Sequence, residues 1–190
     1  MTATPSPWRM LETAEPICSA AELDVALERL AAEITDALGQ RVPLVLAVMQ
    51  GAVVFAGRLL PLLHFPLEFG YVHATRYRGA TQGGDLHWLA WPQDALRDRV
   101  VLVLDDILDE GATLAAIRDR LLREGAAACY SAVLVDKAIG RPRPVAADFV
   151  GVTVPDRYVF GFGMDINGWW RNLPGIYALG SDASLPGGRE

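Results

Sequence analysis

The sequence predicts an α/β fold, a doubly wound and mostly parallel sheet flanked by helices. Three observations predict it: apolar runs of strand length, segments of helical period between them, and acids gathered where an apolar run stops. Residues 42–49 and 100–104 are continuous, β-rich apolar runs, the pattern of parallel strands buried on both faces. They are far too short to cross a bilayer. Strands that alternate with helices in this way argue for parallel pairing through crossover connections. The chain has 190 residues, 52% hydrophobic and 21% charged, so one sizeable core in one domain over residues 1–190 is expected.

The elements follow in order. Ser19-Ala20-Ala21-Glu22 is a capping box, in which the hydroxyl and the carboxylate each satisfy an orphan backbone N–H. Leu23, Leu27, Leu30, Ile34 and Leu38 then recur at helical spacing, and Gly39 is expected to close the helix. The strand at 42–49 breaks at Gln50-Gly51, and a helix over 52–63 ends near Pro61. A strand over 67–75 and a short one over 87–91 form a hairpin around the polar, glycine-rich loop 77–85. The strand 100–104 leads through an acidic turn into a helix over 114–124, ended by Gly125. Strands over 132–135 and 149–154 flank an Arg/Pro-rich loop, and 155–174, rich in Gly and aromatics, fits no simple element.

Net charge is −6 with no basic stripe, so the chain offers no electrostatic footprint for nucleic acid. Cys18 and Cys129 lie far apart, which excludes a disulfide framework and suits reduced, buried thiols. His64, His73 and His87 are scattered without ligand spacing. The N-terminus lacks a basic start followed by an apolar stretch, so a cytoplasmic protein without membrane association is expected.

Ligands of doubly wound sheets bind at the carboxyl ends of strands. This points to residues 49–52, 105–113 and 136–139. The second place carries the chemistry. Asp105 and Asp106 stand where a buried strand is expected to end, and charge there needs a ligand, a cation or water. Asp109, Glu110, Gly111, Ala112 and Thr113 then lead into a helix. Gly111 permits close backbone approach, and the first N–H groups of the helix favour an anion. A phosphorylated sugar suits both halves, with phosphate on the N–H groups and hydroxyls on the acids.

In full order, apolar strand, Asp-Asp, two apolar residues, Asp, Gly, Thr, helix, this segment resembles the phosphoribosyl pyrophosphate (PRPP) signature of type I phosphoribosyltransferases. Val133-Leu134-Val135-Asp136-Lys137, the stretch from Pro155-Asp156-Arg157-Tyr158 to Asp165, and Trp169-Trp170-Arg171-Asn172-Leu173-Pro174 narrow the resemblance to hypoxanthine-guanine phosphoribosyltransferases. The resemblance spans about residues 44–179 and is weakest over 77–96.

It implies a core at about 40–150 and a small hood from about 1–18 and 152–180. It implies transfer of the 5-phosphoribosyl group of PRPP to a 6-oxopurine (hypoxanthine, guanine or xanthine), with Mg²⁺, in a homodimer or homotetramer. Asp105 and Asp106 hold the ribose. Asp109 is the general acid/base near the purine N7. Residues 109–113 bind the 5′-phosphate. Lys137 donates to the purine O6, Tyr158 stacks on the base and Val159 reads it through the backbone. Asp165 faces the metal beside the base, Arg171 meets the pyrophosphate, and Gln50-Gly51 form the pyrophosphate loop, where relatives hold a cis peptide. Tyr77 starts a lid.

The chain departs from that pattern at Glu110, where Ser or Thr is usual, and at Gln50, where Lys or Arg is frequent. A carboxylate at 110 repels a phosphate unless it swings outward, and Arg76 or Arg171 are the cations placed to make up for Gln50. These departures support one alternative, a non-catalytic PRPP- or nucleotide-binding regulator on the same fold.

Overall fold

The computed structural model describes residues 6–76, 86–92 and 96–180. Its centre is a six-stranded sheet. Beside the central β2 (Leu44–Met49) lie β3 (Glu68–Arg76) and β5 (Val100–Leu108). Beyond β3 lies β4 (Leu86–Ala90), and beyond β5 lie β6 (Ala128–Ala138) and β7 (Phe149–Pro155). All neighbours are parallel except the β3–β4 hairpin. The expected doubly wound sheet is therefore present.

Alternation along each buried strand decides which helix packs where. Val45, Ala47, Leu102, Leu104, Ala132 and Leu134 share a core with the apolar sides of α2 (Ala20–Leu38) and α3 (Ala52–Leu59). Leu44, Leu46, Val48, Val101, Val103 and Val133 meet Leu114, Ile117 and Leu121 of α4 (Ala112–Arg123) on the other face. A single-residue slip in any of these strands would exchange the two sets. From β2 the chain passes through α3 to β3 on one side; from β5 it passes through α4 to β6 on the other. The loops after β2 and β5 thus part from each other at the switch point, where such sheets leave a crevice.

Helix α2 starts as expected: the Ser19 hydroxyl accepts from the Glu22 N–H at 3.3 Å, and the Glu22 carboxylate accepts from the Ser19 N–H at 2.8 Å. It ends differently. Gly39 has φ −59°, an ordinary right-handed conformation, so its conformational freedom is not what stops the helix. Val42 stays outside β2, half exposed with φ +45°. Helix α3 stops at Leu59 and passes into a 3-10 turn, Leu60–Leu62, around Pro61.

The remaining segments build a small antiparallel sheet of β1 (Glu15–Cys18), β9 (Ile176–Ala178) and β8 (Val159–Phe160), with α1 (Pro7–Glu12) beside it. Met10, Phe160, Ile166 and Leu179 form its own core. The Trp170 indole N–H donates to the Pro7 carbonyl at 2.9 Å. Arg157 ties the first and last segments together through Glu15 and the Leu179 carbonyl, both at 2.6 Å. Residues 152–155, assigned above to the hood, belong instead to β7, because their backbone pairs with β6.

Cys18 is buried; Cys129 is only partly so, contrary to expectation, because it lies near the start of β6. Burial pushes the Cys129 thiol up to about 11. Among the described residues no helix is long and apolar enough to cross a membrane.

Candidate active site

The acid pair does not follow β5; it is part of it. The strand continues to Leu108, with Asp105 paired to Val133 and Leu108 to Asp136 of β6. Ladder hydrogen bonds to β6 extend the strand past the point where the charges were expected to end it. Asp105 is 8% exposed. Burial drives its carboxyl well above the ordinary carboxylate range, and the Asp106 charge adds to this. Asp106 is also raised by burial, while the hydrogen bond from Asp105 and the nearby Arg171 cation oppose the rise. Both acids are therefore costly to ionise in this setting. Their internal contacts are short-range: the Asp106 N–H donates to Asp105 Oδ1 at 3.1 Å, and the Ile107 N–H to Asp106 Oδ1 at 3.0 Å.

Gly111 turns the chain into α4 with φ +78°, a left-handed conformation open to glycine. No side chain caps α4, and its first turn holds no acid. Gly111 and Thr113 line a cleft together with Asp105, Asp106 and Asp109. Glu110 is half exposed and ion-pairs with Arg141.

The loop after β2 lies against the acid pair. The peptide between Met49 and Gln50 is cis, one residue before the expected Gln50–Gly51 bond. A methyl group on Gly51 would stand 1.9 Å from Asp106 Oδ2, and one on Gly163 would stand 2.1 Å from the Gly51 carbonyl oxygen. So backbone, not side chain, fills the space between Asp106 and residue 163. Gly163, with φ +105°, supports this loop from the hood and was not foreseen, because its partner is far away in sequence.

At the end of β6, Lys137 Nζ ion-pairs with Asp109 Oδ2 at 2.7 Å. Lys137 is 9% exposed and belongs to the strand, not to the loop beyond it. Arg143, also unforeseen, binds the Asp136 carboxylate and the Lys137 carbonyl, and so fixes the backbone beneath the lysine.

The hood supplies the rest. Tyr158 is 40% exposed, and its hydroxyl donates to the Asp165 carbonyl at 3.1 Å. Val159 is buried in β8. The Asp165 carboxylate accepts from the Gly168 N–H at 2.7 Å and from Arg171 at 2.5 Å. Arg171 also donates to the Gly163 carbonyl at 2.6 Å. It therefore links Asp165, the residue-163 turn and the field of Asp106. Gln50 is exposed.

No cluster of three or more metal-ligating side chains exists among the described residues. Asp105, Asp106 and Asp165 offer hard oxygens only, and Mg²⁺ takes one or two carboxylates with substrate phosphates and water as its other ligands. The donor set fits Mg²⁺ brought with a phosphorylated substrate. Tyr77 and the loop 77–85 lie outside the described residues, as does the side chain of Arg76.

Residues 19–167 match the phosphoribosyl transferase domain family. The hypoxanthine-guanine phosphoribosyltransferase of Bacillus subtilis (strain 168) is 30% identical over 164 residues, covering 86% of this chain and 91% of that protein. The hypoxanthine-guanine-xanthine phosphoribosyltransferase of Tritrichomonas foetus is 33% identical over 159 residues, 83% of this chain and 87% of that one. A solved hypoxanthine-guanine phosphoribosyltransferase from Bacillus anthracis superimposes with a TM-score of 0.81 at 27% identity, covering 87% of this chain and 98% of that one.

Proposed function

The chain belongs to the phosphoribosyl transferase family, and on that premise we propose that it joins a 6-oxopurine to the ribose of PRPP, releasing pyrophosphate and forming IMP or GMP. The observation that carries the choice of base is the Lys137–Asp109 pair, with its atoms 2.7 Å apart. A 6-oxopurine presents two neighbouring groups, O6 and N7, on one edge, whereas adenine presents an amino donor at position 6. An ammonium and a carboxylate side by side match the first edge: Lys137 donates to O6, and Asp109 accepts the proton from N7. Adenine would set its amino group against the lysine.

In the transfer, the bond from ribose C1′ to the pyrophosphate oxygen breaks and the bond from C1′ to purine N9 forms. The N7 proton passes to the Asp109 carboxylate, so the new nucleotide is not left with an extra positive charge. Asp105 and Asp106 accept from the ribose hydroxyls and place negative charge near the cationic ribose, the kind of preorganised electrostatics that is usually a large catalytic contribution. The N–H groups of residues 111–113 take the 5′-phosphate. Arg171 and the Gln50-Gly51 backbone take the pyrophosphate, Tyr158 covers the base and the Val159 backbone reads its edge. Asp165, together with substrate oxygens, would hold Mg²⁺, which would supply positive charge against the leaving pyrophosphate.

Two free thiols support a reducing, cytoplasmic setting. Exposed Phe69, Tyr71 and Leu89 on the outer β3–β4 hairpin support self-association into a homodimer or homotetramer. The test is a spectrophotometric assay with PRPP and Mg²⁺ against hypoxanthine, guanine, xanthine and adenine in turn. Mg²⁺-dependent nucleotide formation from a 6-oxopurine, and none from adenine, is expected. Nucleotide binding without turnover on any base would replace the transferase by the regulator.

A further inference from the structure

The turn into α4 carries a carboxylate where an anion is to bind. Glu110 precedes Gly111 directly, so a phosphate on the N–H groups of residues 111–113 has this side chain as its neighbour. Unpaired, a negative charge there opposes a second one in proportion to its nearness. The structure shows how the opposition is met. Glu110 is ion-paired with Arg141, and the two side chains are 52% and 54% exposed. Arg141 comes from the loop between β6 and β7, and Asp109 and Asp156 also act on it.

That loop is built against the cradle. The position of a Gly111 methyl would lie 3.3 Å from Val145 Cγ1 and 3.6 Å from Pro144 Cδ. Arg143 binds the same loop back to Asp136 and to the Lys137 carbonyl. Val145 is buried beside Leu108 and Leu114, at the start of α4. The backbone that carries Arg141 is thus packed on the turn that carries Glu110.

We propose that Arg141 is a positioning residue for phosphate binding: it neutralises Glu110 and holds that carboxylate outside the cradle, leaving the N–H groups at the start of α4 to a dianionic 5′-phosphate. The inference deepens the proposed function and rests on it for the identity of the phosphate. Arg141 acts through Glu110 and not on the ligand, so its effect must vanish when Glu110 is absent. An ion pair this exposed contributes little to stability, so the melting temperature is not expected to report it.

The experiment is a double-mutant cycle on IMP affinity, measured by calorimetry at low ionic strength and repeated in high salt. Arg141→Ala alone should weaken IMP by about tenfold, the scale of one uncompensated like charge near a half-exposed site. The loss should shrink in salt. In a Glu110→Ser background, Arg141→Ala should weaken IMP by less than roughly twofold, a non-additivity expected only of coupled residues. Equal losses in both backgrounds would make Arg141 a direct phosphate ligand and overturn the proposal, as would no loss in either. Failure of the unmodified protein to bind IMP at all would overturn both this inference and the transferase reading. IMP binding that follows the cycle, without turnover on any base, would sink the transferase reading alone.

Discussion

Two helices of this molecule begin in opposite ways. Helix α2 is closed at its start, with the Ser19 hydroxyl on the Glu22 N–H and the Glu22 carboxylate on the Ser19 N–H. Helix α4 is left open: Gly111 precedes it, no side chain caps it, and its first turn contains no acid. A helix start has orphan donors and a favourable field for negative charge in either case. At α2 the protein satisfies them itself, and the helix serves the core through Leu23, Leu27, Leu30 and Ile34. At α4 no side chain satisfies them, and a buried acid, Asp105, and a partly buried one, Asp106, stand in the strand before it. The difference separates a terminus closed by its own side chains from one left open, by chemistry that the chain spells out locally.

The comparison can be sharpened by substitution. The largest effect is expected at Asp109, which stands just before the open end. Asp109→Asn keeps the shape but removes the proton acceptor, so turnover should fall by about 10²–10⁴-fold, the usual range for a general acid/base. PRPP affinity should change little. A near-normal rate in steady-state kinetics would remove Asp109 from that role.

Asp105 comes next, and the effect runs in two directions. Its folded carboxyl lies above its unfolded value, so the folded protein keeps a proton that the unfolded chain has lost. Stability therefore falls as pH rises from the unfolded value towards the folded one, and the penalty is greatest above both. Asp105→Asn should raise the melting temperature at pH 7, by about 2–4 °C for each kcal/mol relieved in a chain of this size. The gain should fade as pH falls to the ordinary carboxylate range, and PRPP binding should suffer. Thermal unfolding at pH 4 and pH 7 checks this; a variant less stable than the parent at pH 7 would contradict it.

The smallest effect belongs to the closed end. Ser19→Ala should cost about 1 kcal/mol of stability, the usual value of such a cap. Chemical denaturation would read that loss, and the kinetic constants should not change. A weakened affinity for PRPP would show that the α2 terminus reaches the site.

What the sequence revealed and what it hid follow the same division. The stretch 100–113 is contiguous, so strand, acids, glycine and helix start could be read in order. Even there the strand proved longer, because pairing with β6 carries Asp105 and Asp106 inside the ladder. The Lys137–Asp109 pair is assembled from distant segments. Lys137 could be marked as a strand-end cation, but its partner Asp109 lies 28 residues away. Arg143 under Lys137 and Gly163 behind Gly51 became visible only once β6 and the hood were folded against the switch point. One miss had a local signal: Ser6-Pro7 is an N-cap followed by proline at the first helical position, and α1 starts there, with the Ser6 hydroxyl accepting from the Arg9 N–H at 3.3 Å.

The central claim is that the open start of α4 receives the 5′-phosphate. Amide resonances of ¹⁵N-labelled protein, followed as IMP is added, test it most directly. The N–H signals of Gly111, Ala112 and Thr113 should move strongly, while those of Ala20, Ala21 and Glu22 at the closed start of α2 stay in place. Binding of IMP that leaves the residue 111–113 amides unmoved would contradict the account.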